Sequence, residues 1–248
     1  MDTPVEFSKF YRVLNAAKEG EEGKSLELES LLKEYEASEK SASALHQLGE
    51  IFLYVGIMEL YKYSGTQDIQ AIGVLNKEDW KNYCKKISEI SNRLDDVGLP
   101  ISYHEHMGTI IQTEADLEKF IENTNENTKL LYDTGHLLFA KSNYENILKK
   151  YISRINHVHC KDIRKDILEK SLDNDLSFRD SFLEGVFTVP GDGCIDYNPL
   201  IKILYKNNYQ NWLVIEAEQD PIKANPLKYA KIGYNYLSNL LNQIGYKF

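Results

Sequence analysis

Five of the six histidines, His104, His106, His136, His157 and His159, stand at the ends of short apolar runs. Acids stand beside them or at the same level: Glu105, Asp133, Asp162, Glu216 and Glu218. Imidazole and carboxylate groups together can ligate a divalent metal and can carry protons. Taken singly, each histidine reads more simply as a hydrogen-bonded structural residue. Their concentration at one level of a fold is what changes that reading. Asp133, His159 and Glu216 would bring oxygen, nitrogen and oxygen from three separate runs. Such a mixed set suits Mn²⁺, Co²⁺, Fe²⁺ or Zn²⁺, whereas Ca²⁺ sites normally use oxygen alone.

Groups of this kind need a rigid frame to hold them in register. The runs Leu99–His106, Leu130–Gly135, Ile155–His159 and Trp212–Ala217 are each of strand length, and amphipathic stretches separate them. That alternation predicts a parallel sheet covered by helices. In such folds the active site is built at the C-terminal ends of the strands, where the histidines and acids fall. Helix boundaries are also written in the chain. Asn76 with Asp79, and Thr113 with Asp116, resemble capping boxes before helices at Trp80–Val97 and Leu117–Asn123, and Gly98 fits the end of the first. Pro199 and Pro226 suit a helix's first turn. A last helix, Pro226–Ile244, would place Leu227, Ala230, Tyr234, Leu237 and Leu241 at helical spacing. Nearer the start, helices at Phe7–Ala17 and Ala42–Tyr54 and strands at Ser25–Glu29 and Ile57–Tyr63 bring the expected strands to six, short of the eight of a closed barrel.

The bulk properties bound the function. The chain has 248 residues, 42% hydrophobic and 27% charged, which suits one α/β barrel or one to two smaller domains rather than a disordered chain. A formal net charge of −9 argues against a nucleic-acid partner, which would need a basic face. No stretch approaches the roughly 20 apolar residues of a membrane span, and Met1–Lys9 does not read as a secretion signal. The three cysteines, Cys84, Cys160 and Cys194, have no pairing pattern, so reduced thiols in a cytoplasmic protein are expected. The GDG string at Gly191–Gly193 completes no phosphate-loop pattern and reads as a turn near the site. The acids from Asp173 to Glu184 have Phe178 where a calcium loop needs glycine. Trp80 and Trp212 read as core or boundary aromatics.

Five strings occur in order: YHEHMGT (Tyr103–Thr109), DTGH (Asp133–His136), HVHCKD (His157–Asp162), GVFTVPGDGCID (Gly185–Asp196) and IEAEQDP (Ile215–Pro221). Together they resemble the inosose dehydratases, which belong to the xylose isomerase-like TIM-barrel group of sugar isomerases and epimerases. The resemblance is clear from about Trp80 to Tyr236 and fainter back to about Val5. It implies a TIM-type (β/α) barrel and the metal-dependent removal of water from 2-keto-myo-inositol, a small cyclic polyol ketone. It also implies a divalent ion, Mn²⁺ or Co²⁺, held by four donors. By position Asp133, His159 and Glu216 match three of these. For the fourth, the comparable strand end carries His104, and Gln112 on the following loop is the preferred ligand. Family members usually have a histidine where this chain has Glu105, whose side chain would point away if neighbours on the strand alternate faces. The dehydration removes a proton beside the ketone and expels a hydroxyl one carbon further on, so the site needs a base and an acid. His106, His136, Lys161 and Glu218 are the candidates, with the two roles unassigned. Lys161 has an alternative reading as an ion-pair partner of Asp162.

Relatives of this kind begin with a further strand, helix and strand, so the expectation is a single domain over 1–248 lacking its first two strands. The open sheet edge this leaves would invite association between copies of the chain. Two other readings stand beside the dehydratase: a sugar isomerase or epimerase on the same scaffold, and an inactive relic that keeps half a site.

Overall fold

The computed structural model describes residues 77–107 and 109–247, all within the compact unit Glu59–Phe248. The expected elements at Phe7–Ala17, Ser25–Glu29, Ala42–Tyr54 and Ile57–Tyr63, the Asn76 cap, and the expectation of two missing strands all lie outside the described residues. Among these, four parallel strands form one sheet: β1 (Ser102–His104), β2 (Lys129–Asp133), β3 (Ile155–Cys160) and β6 (Leu213–Ile215), in the order β1-β2-β3-β6. Two short strands, β4 (Asp162–Ile163) and β5 (Phe187–Thr188), pair antiparallel beside it. The helices are α1 (Lys77–Asp96), α2 (Glu114–Asn123), α3 (Thr134–Phe139), α4 (Tyr144–Tyr151), α5 (Lys165–Asp173), α6 (Phe178–Glu184), α7 (Tyr197–Lys206) and α8 (Pro226–Ile244).

Local chemistry sets most of these boundaries. At α2, Thr113 accepts from the Asp116 backbone N–H while the Asp116 carboxylate accepts from the Thr113 backbone, the reciprocal box read from the sequence. At α8, Asn225 caps, Pro226 opens the first turn and Gly245 closes the helix at φ 108°. Asp196 caps α7, so Pro199 falls inside its first turn. Gly98 lies just past α1 at φ 77°, a left-handed conformation that favours glycine.

The main core lies between the sheet and its helices. Trp80 and Cys84 of α1, Leu117 and Phe120 of α2, and Leu200, Ile201 and Leu204 of α7 close over Tyr103, Leu130, Tyr132 and Val158. Phe120 packs on Tyr103 with ring centroids 4.2 Å apart. A smaller cluster of Met107, Ile163, Leu168, Phe178, Val186 and Phe187 forms a shoulder at the C-terminal end of the sheet. Among the described residues, no helix is long and apolar enough to cross a membrane. The three cysteines are unpaired thiols.

Several expectations change. The strands are shorter than the apolar runs, so Glu105, His106, Glu216 and Glu218 stand on the segments beyond strand ends. Thr134 and Gly135 open α3 instead of extending β2, because the Asp133 side chain caps the helix immediately. On α8, Leu227 and Tyr234 are exposed, and the buried face runs through Gly233, Leu237 and Leu240. Gly233 sets that face: a Cβ there would meet Ile215 Cγ2 at 2.7 Å, so the helix packs on β6 at its narrowest point. Trp212 is exposed, not core or boundary; its carbonyl accepts from Val158 and from the Tyr209 hydroxyl, and Tyr209 takes the inward place.

Candidate metal centre

Asp133 ends β2 and divides its carboxylate between two tasks. Its Oδ1 accepts the backbone N–H groups of Gly135 and His136, both at 2.9 Å, which starts α3. Its Oδ2 faces the histidines. Parallel pairing sets Asp133 beside His159 on β3, and Ile215 at the end of β6 beside Cys160, which brings Glu216 to the same level. His104 closes β1 on the other side of β2.

Atoms of Asp133, His159 and Glu216 converge, and His104 lies beside Asp133. His104 Nε2 lies 3.5 Å from Asp133 Oδ2, and His159 Nδ1 lies 3.4 Å from the same oxygen. His159 Nδ1 is also 2.8 Å from Glu216 Oε2. All four atoms are buried, yet none has a hydrogen-bond partner among the described residues. They face one another as ion pairs, and Lys161 Nζ lies 3.0 Å from Glu216 Oε2. Buried lone pairs without hydrogen bonds are places a cation can fill. Donors about 2.1 Å from a shared ion sit about 3.0–3.4 Å apart, which matches these separations. The residues present therefore fit a divalent ion.

The electrostatics fit it too. Burial, opposed by Asp133, holds His104 down at about 3, so its ring is neutral and able to ligate. At His159, burial works against the charged ring, but Asp133 and Glu216 outweigh it and raise the group to about 9. Burial likewise disfavours ionised Asp133 and Glu216; the surrounding cations hold both below the usual carboxylate range. The centre is built to attract positive charge.

A second group adjoins the first. Lys161 Nζ lies 2.8 Å from His136 Nε2 and donates to Glu218 Oε2 at 2.9 Å. It also lies 3.0 Å from Glu216 Oε2 and 3.4 Å from Asp133 Oδ2. His136 Nε2 is 3.0 Å from Glu218 Oε2, and His106 Nε2 is 3.7 Å from Glu218 Oε1. His106 Nδ1 is 2.7 Å from the Met107 carbonyl, and burial pushes the ring toward its neutral form. With Nδ1–H donating there, Nε2 keeps its lone pair. The side chains of His136 and Lys161 are fully buried and that of His106 nearly so, while Glu218 is 30% exposed. Phe178 and Phe187 pack against the rings of His106 and His136, walling this side off from water.

The eight residues singled out by sequence are thus placed as follows. Asp133, His159 and Glu216 come together, and His106, His136, Lys161 and Glu218 form the adjoining set. Gln112 lies just before α2, where its backbone N–H is turned toward the Asp116 carboxylate; His104 lies 3.5 Å from Asp133 and groups with Asp133 and His136. Lys161 pairs with Asp133, Glu216 and Glu218 rather than with Asp162, because neighbouring residues point to opposite sides of the chain. Asp162 instead accepts the backbone N–H groups of Ile163, Gly191 and Ile195 and shapes the turn at Gly191–Gly193. A Cβ on Gly193 would meet Asp162 Oδ1 at 2.2 Å, which explains the glycine without a phosphate. Glu105 is buried beside the centre, and burial, then the Asp133 charge, raise its carboxyl well above the ordinary range.

A parallel α/β sheet with imidazole and carboxylate donors gathered at its strand ends defines a barrel-type metal site. The chain belongs to the xylose isomerase-like TIM barrel family, whose model matches residues 26–240. An inosose dehydratase of Clostridium botulinum (strain Alaska E43 / Type E3) is 43% identical over 218 residues, covering 83% of this chain and 71% of that protein. The rhizopine catabolism protein MocC of Rhizobium meliloti is 37% identical over 215 residues, covering 86% of this chain and 66% of that protein. The chain thus spans about two thirds of the length of these relatives. Among solved structures, the IolI protein with a binding zinc atom has the same fold, with a TM-score of 0.54 at 16% identity over 71% of this chain and 61% of that one.

Proposed function

We propose that the chain is a cytoplasmic, metal-dependent hydro-lyase that removes water from 2-keto-myo-inositol in inositol catabolism, acting as one domain over 1–248. The observation that carries this reading is the buried Asp133–His159–Glu216 donor set, with His104 beside Asp133, lying against a proton-carrying cluster. The relatives named inosose dehydratase supply the substrate class.

His104, Asp133, His159 and Glu216 would hold the ion, with His104 in place of Gln112; Mn²⁺ or Co²⁺ suits two nitrogens and two carboxylates. When bound, the ion supplies Lewis acidity that polarises a ketone and its neighbouring hydroxyl. Of the four acid–base candidates, Glu218 is the one open to a ligand, so it is our base. Burial disfavours its charge, but Lys161, His106 and His136 hold its carboxyl well below the usual range, so it is ionised and able to accept the proton beside the ketone. Lys161 donates to both Oε2 and His136 Nε2, leaving Oε1 toward His106 Nε2, which can take the proton onward or return it through Glu218 to the departing hydroxyl. The aromatic shoulder keeps bulk water from these groups.

The test is to supply Mn²⁺ or Co²⁺, add 2-keto-myo-inositol and follow mass. Loss of one water by the wild type, abolished in Asp133→Asn, is the expected result. Asn keeps an Oδ1 for the helix cap and loses the anionic donor, so folding survives. No water loss from metal-loaded wild type overturns the reading, and a product of unchanged mass makes the chain an isomerase.

A further inference from the structure

Three overlapping sets of donors lie in this site, with the Lys161 ammonium among them; one, His104, Asp133 and His136, shares a member with each of the other two. The atoms of Asp133, His159 and Glu216 lie within 4.8 Å of one another, and so do those of His106, His136 and Glu218. By composition either set could take a divalent ion. The two differ in how the Lys161 ammonium meets them: in the second it lies 2.8 Å from His136 Nε2, a nitrogen with one lone pair to give, and 2.9 Å from Glu218 Oε2, whereas in the first it meets only carboxylate oxygens, which keep further lone pairs. The same nitrogen reaches across to Glu216 and Asp133 in the first set.

The fold is shaped around that ammonium. Lys161 is fully buried. Its stem crosses the open face of Gly135, where a Cβ would meet Lys161 Cγ at 2.6 Å. The ring of Phe187 lies 5.2 Å from Nζ, a cation–π contact. Charge balance points the same way. Asp133, Glu216 and Glu218 contribute three carboxylates, and one ammonium leaves two negative charges, which a single divalent ion neutralises.

We propose that the Lys161 ammonium stands in for a second metal ion, so that the site takes one divalent cation and the His106–His136–Glu218 set stays free for proton transfer. A divalent ion on that set would have to take the His136 Nε2 lone pair that already faces the ammonium, and would add a second ion's repulsion in a site of low dielectric. The ammonium supplies the positive charge that Glu218 needs without consuming the lone pairs of both imidazoles. It cannot exchange with solvent. This inference rests on the metal centre at Asp133 proposed above, and adds what sets its stoichiometry.

The experiment is a Mn²⁺ titration of the whole chain, counted by native mass spectrometry and by electron paramagnetic resonance. Wild type is expected to take one tight equivalent with the six-line signal of an isolated ion. Lys161→Ala is expected to take a second equivalent, bound at least about a hundredfold tighter than any second ion in wild type, with the broadened signal of a spin-coupled pair. Lys161→Met, which keeps the stem over Gly135 and removes only the charged end, should behave likewise and covers the case in which Lys161→Ala fails to fold. Adding His106→Ala to either variant should remove the second equivalent, and Lys161→Arg should stay at one. A folded Ala or Met variant that still binds a single ion overturns the proposal, as does a spin-coupled pair in wild type. Wild type that binds no ion at all overturns the metal centre itself, a distinguishable outcome.

Discussion

At the scale of single residues, His159 carries the most information about how the centre works. In the ion-free protein its ring is a cation held between Asp133 and Glu216, raised to about 9 against burial. A divalent ion must therefore displace a proton. Because the folded value lies above the ordinary histidine value of about 6.5, the stabilisation this group gives the ion-free fold is complete below about pH 6.5 and is lost as pH rises through about 9. Ion binding has the opposite sense. Its affinity should rise roughly tenfold per pH unit from about 7 to about 9 and then level, with about one proton released per ion, as calorimetry in buffers of different ionisation enthalpy would count. Affinity flat across that interval would place the ion elsewhere. The same residue shows what a sequence can disclose. Asp133, His159 and Glu216 are legible as a group because each stands at the end of an apolar run, and strand ends in a parallel sheet share a level. His104 as the proposed fourth donor is not legible in that way. The choice between His104 and Gln112 turns on where β1 stops, and the apolar run outlasts the strand by two residues. Lys161 is read poorly for a related reason: its partners Glu216 and Glu218 lie more than fifty residues along the chain, while Asp162 is adjacent.

At the scale of elements, turns and caps are distinguishable from the parts that hold the site. The reciprocal box at Thr113 and Asp116 is exposed and serves α2 alone. Thr113→Ala should lower stability by about 0.5–2 kcal/mol and leave turnover of the folded enzyme unchanged. Gly135→Ala should act differently. Its new methyl meets the Lys161 stem, which has no room to move, so a loss of about 1–3 kcal/mol should come with a sharp fall in turnover. Denaturant melts and steady-state rates on the two variants check the contrast, and equal effects on rate would show that Lys161 tolerates displacement. The Thr113 box, the Pro226 start and the Gly98 end were open to sequence reading because caps are local. The buried face of α8 was not. Leu227 and Tyr234 have the right spacing, but the face is chosen by the close approach of Gly233 to Ile215, a contact between distant elements. β4 and β5 are two residues each, too short for any alternation to show.

At the scale of the molecule, the centre ties three neighbouring strands and the segment after a fourth to one point. His104, Asp133 and His159 lie on β1, β2 and β3, and Glu216 follows β6. An ion held there would cross-link the whole described sheet and would bind the folded state alone. At a hundredfold excess over its dissociation constant it should add about 2.7 kcal/mol to stability, seen as a rise in melting temperature that Asp133→Asn abolishes. A melting temperature indifferent to Mn²⁺ and Co²⁺ would mean that the four donors do not share an ion. The divided carboxylate of Asp133 carries this further. One oxygen starts α3 and the other faces the centre, so the first turn of that helix and the ion pull on a single rigid group. Tension on either oxygen is felt at the other. The backbone of Gly135 and His136 is therefore a mechanical gauge of the centre: the firmness of one helix start tracks whether the metal is home.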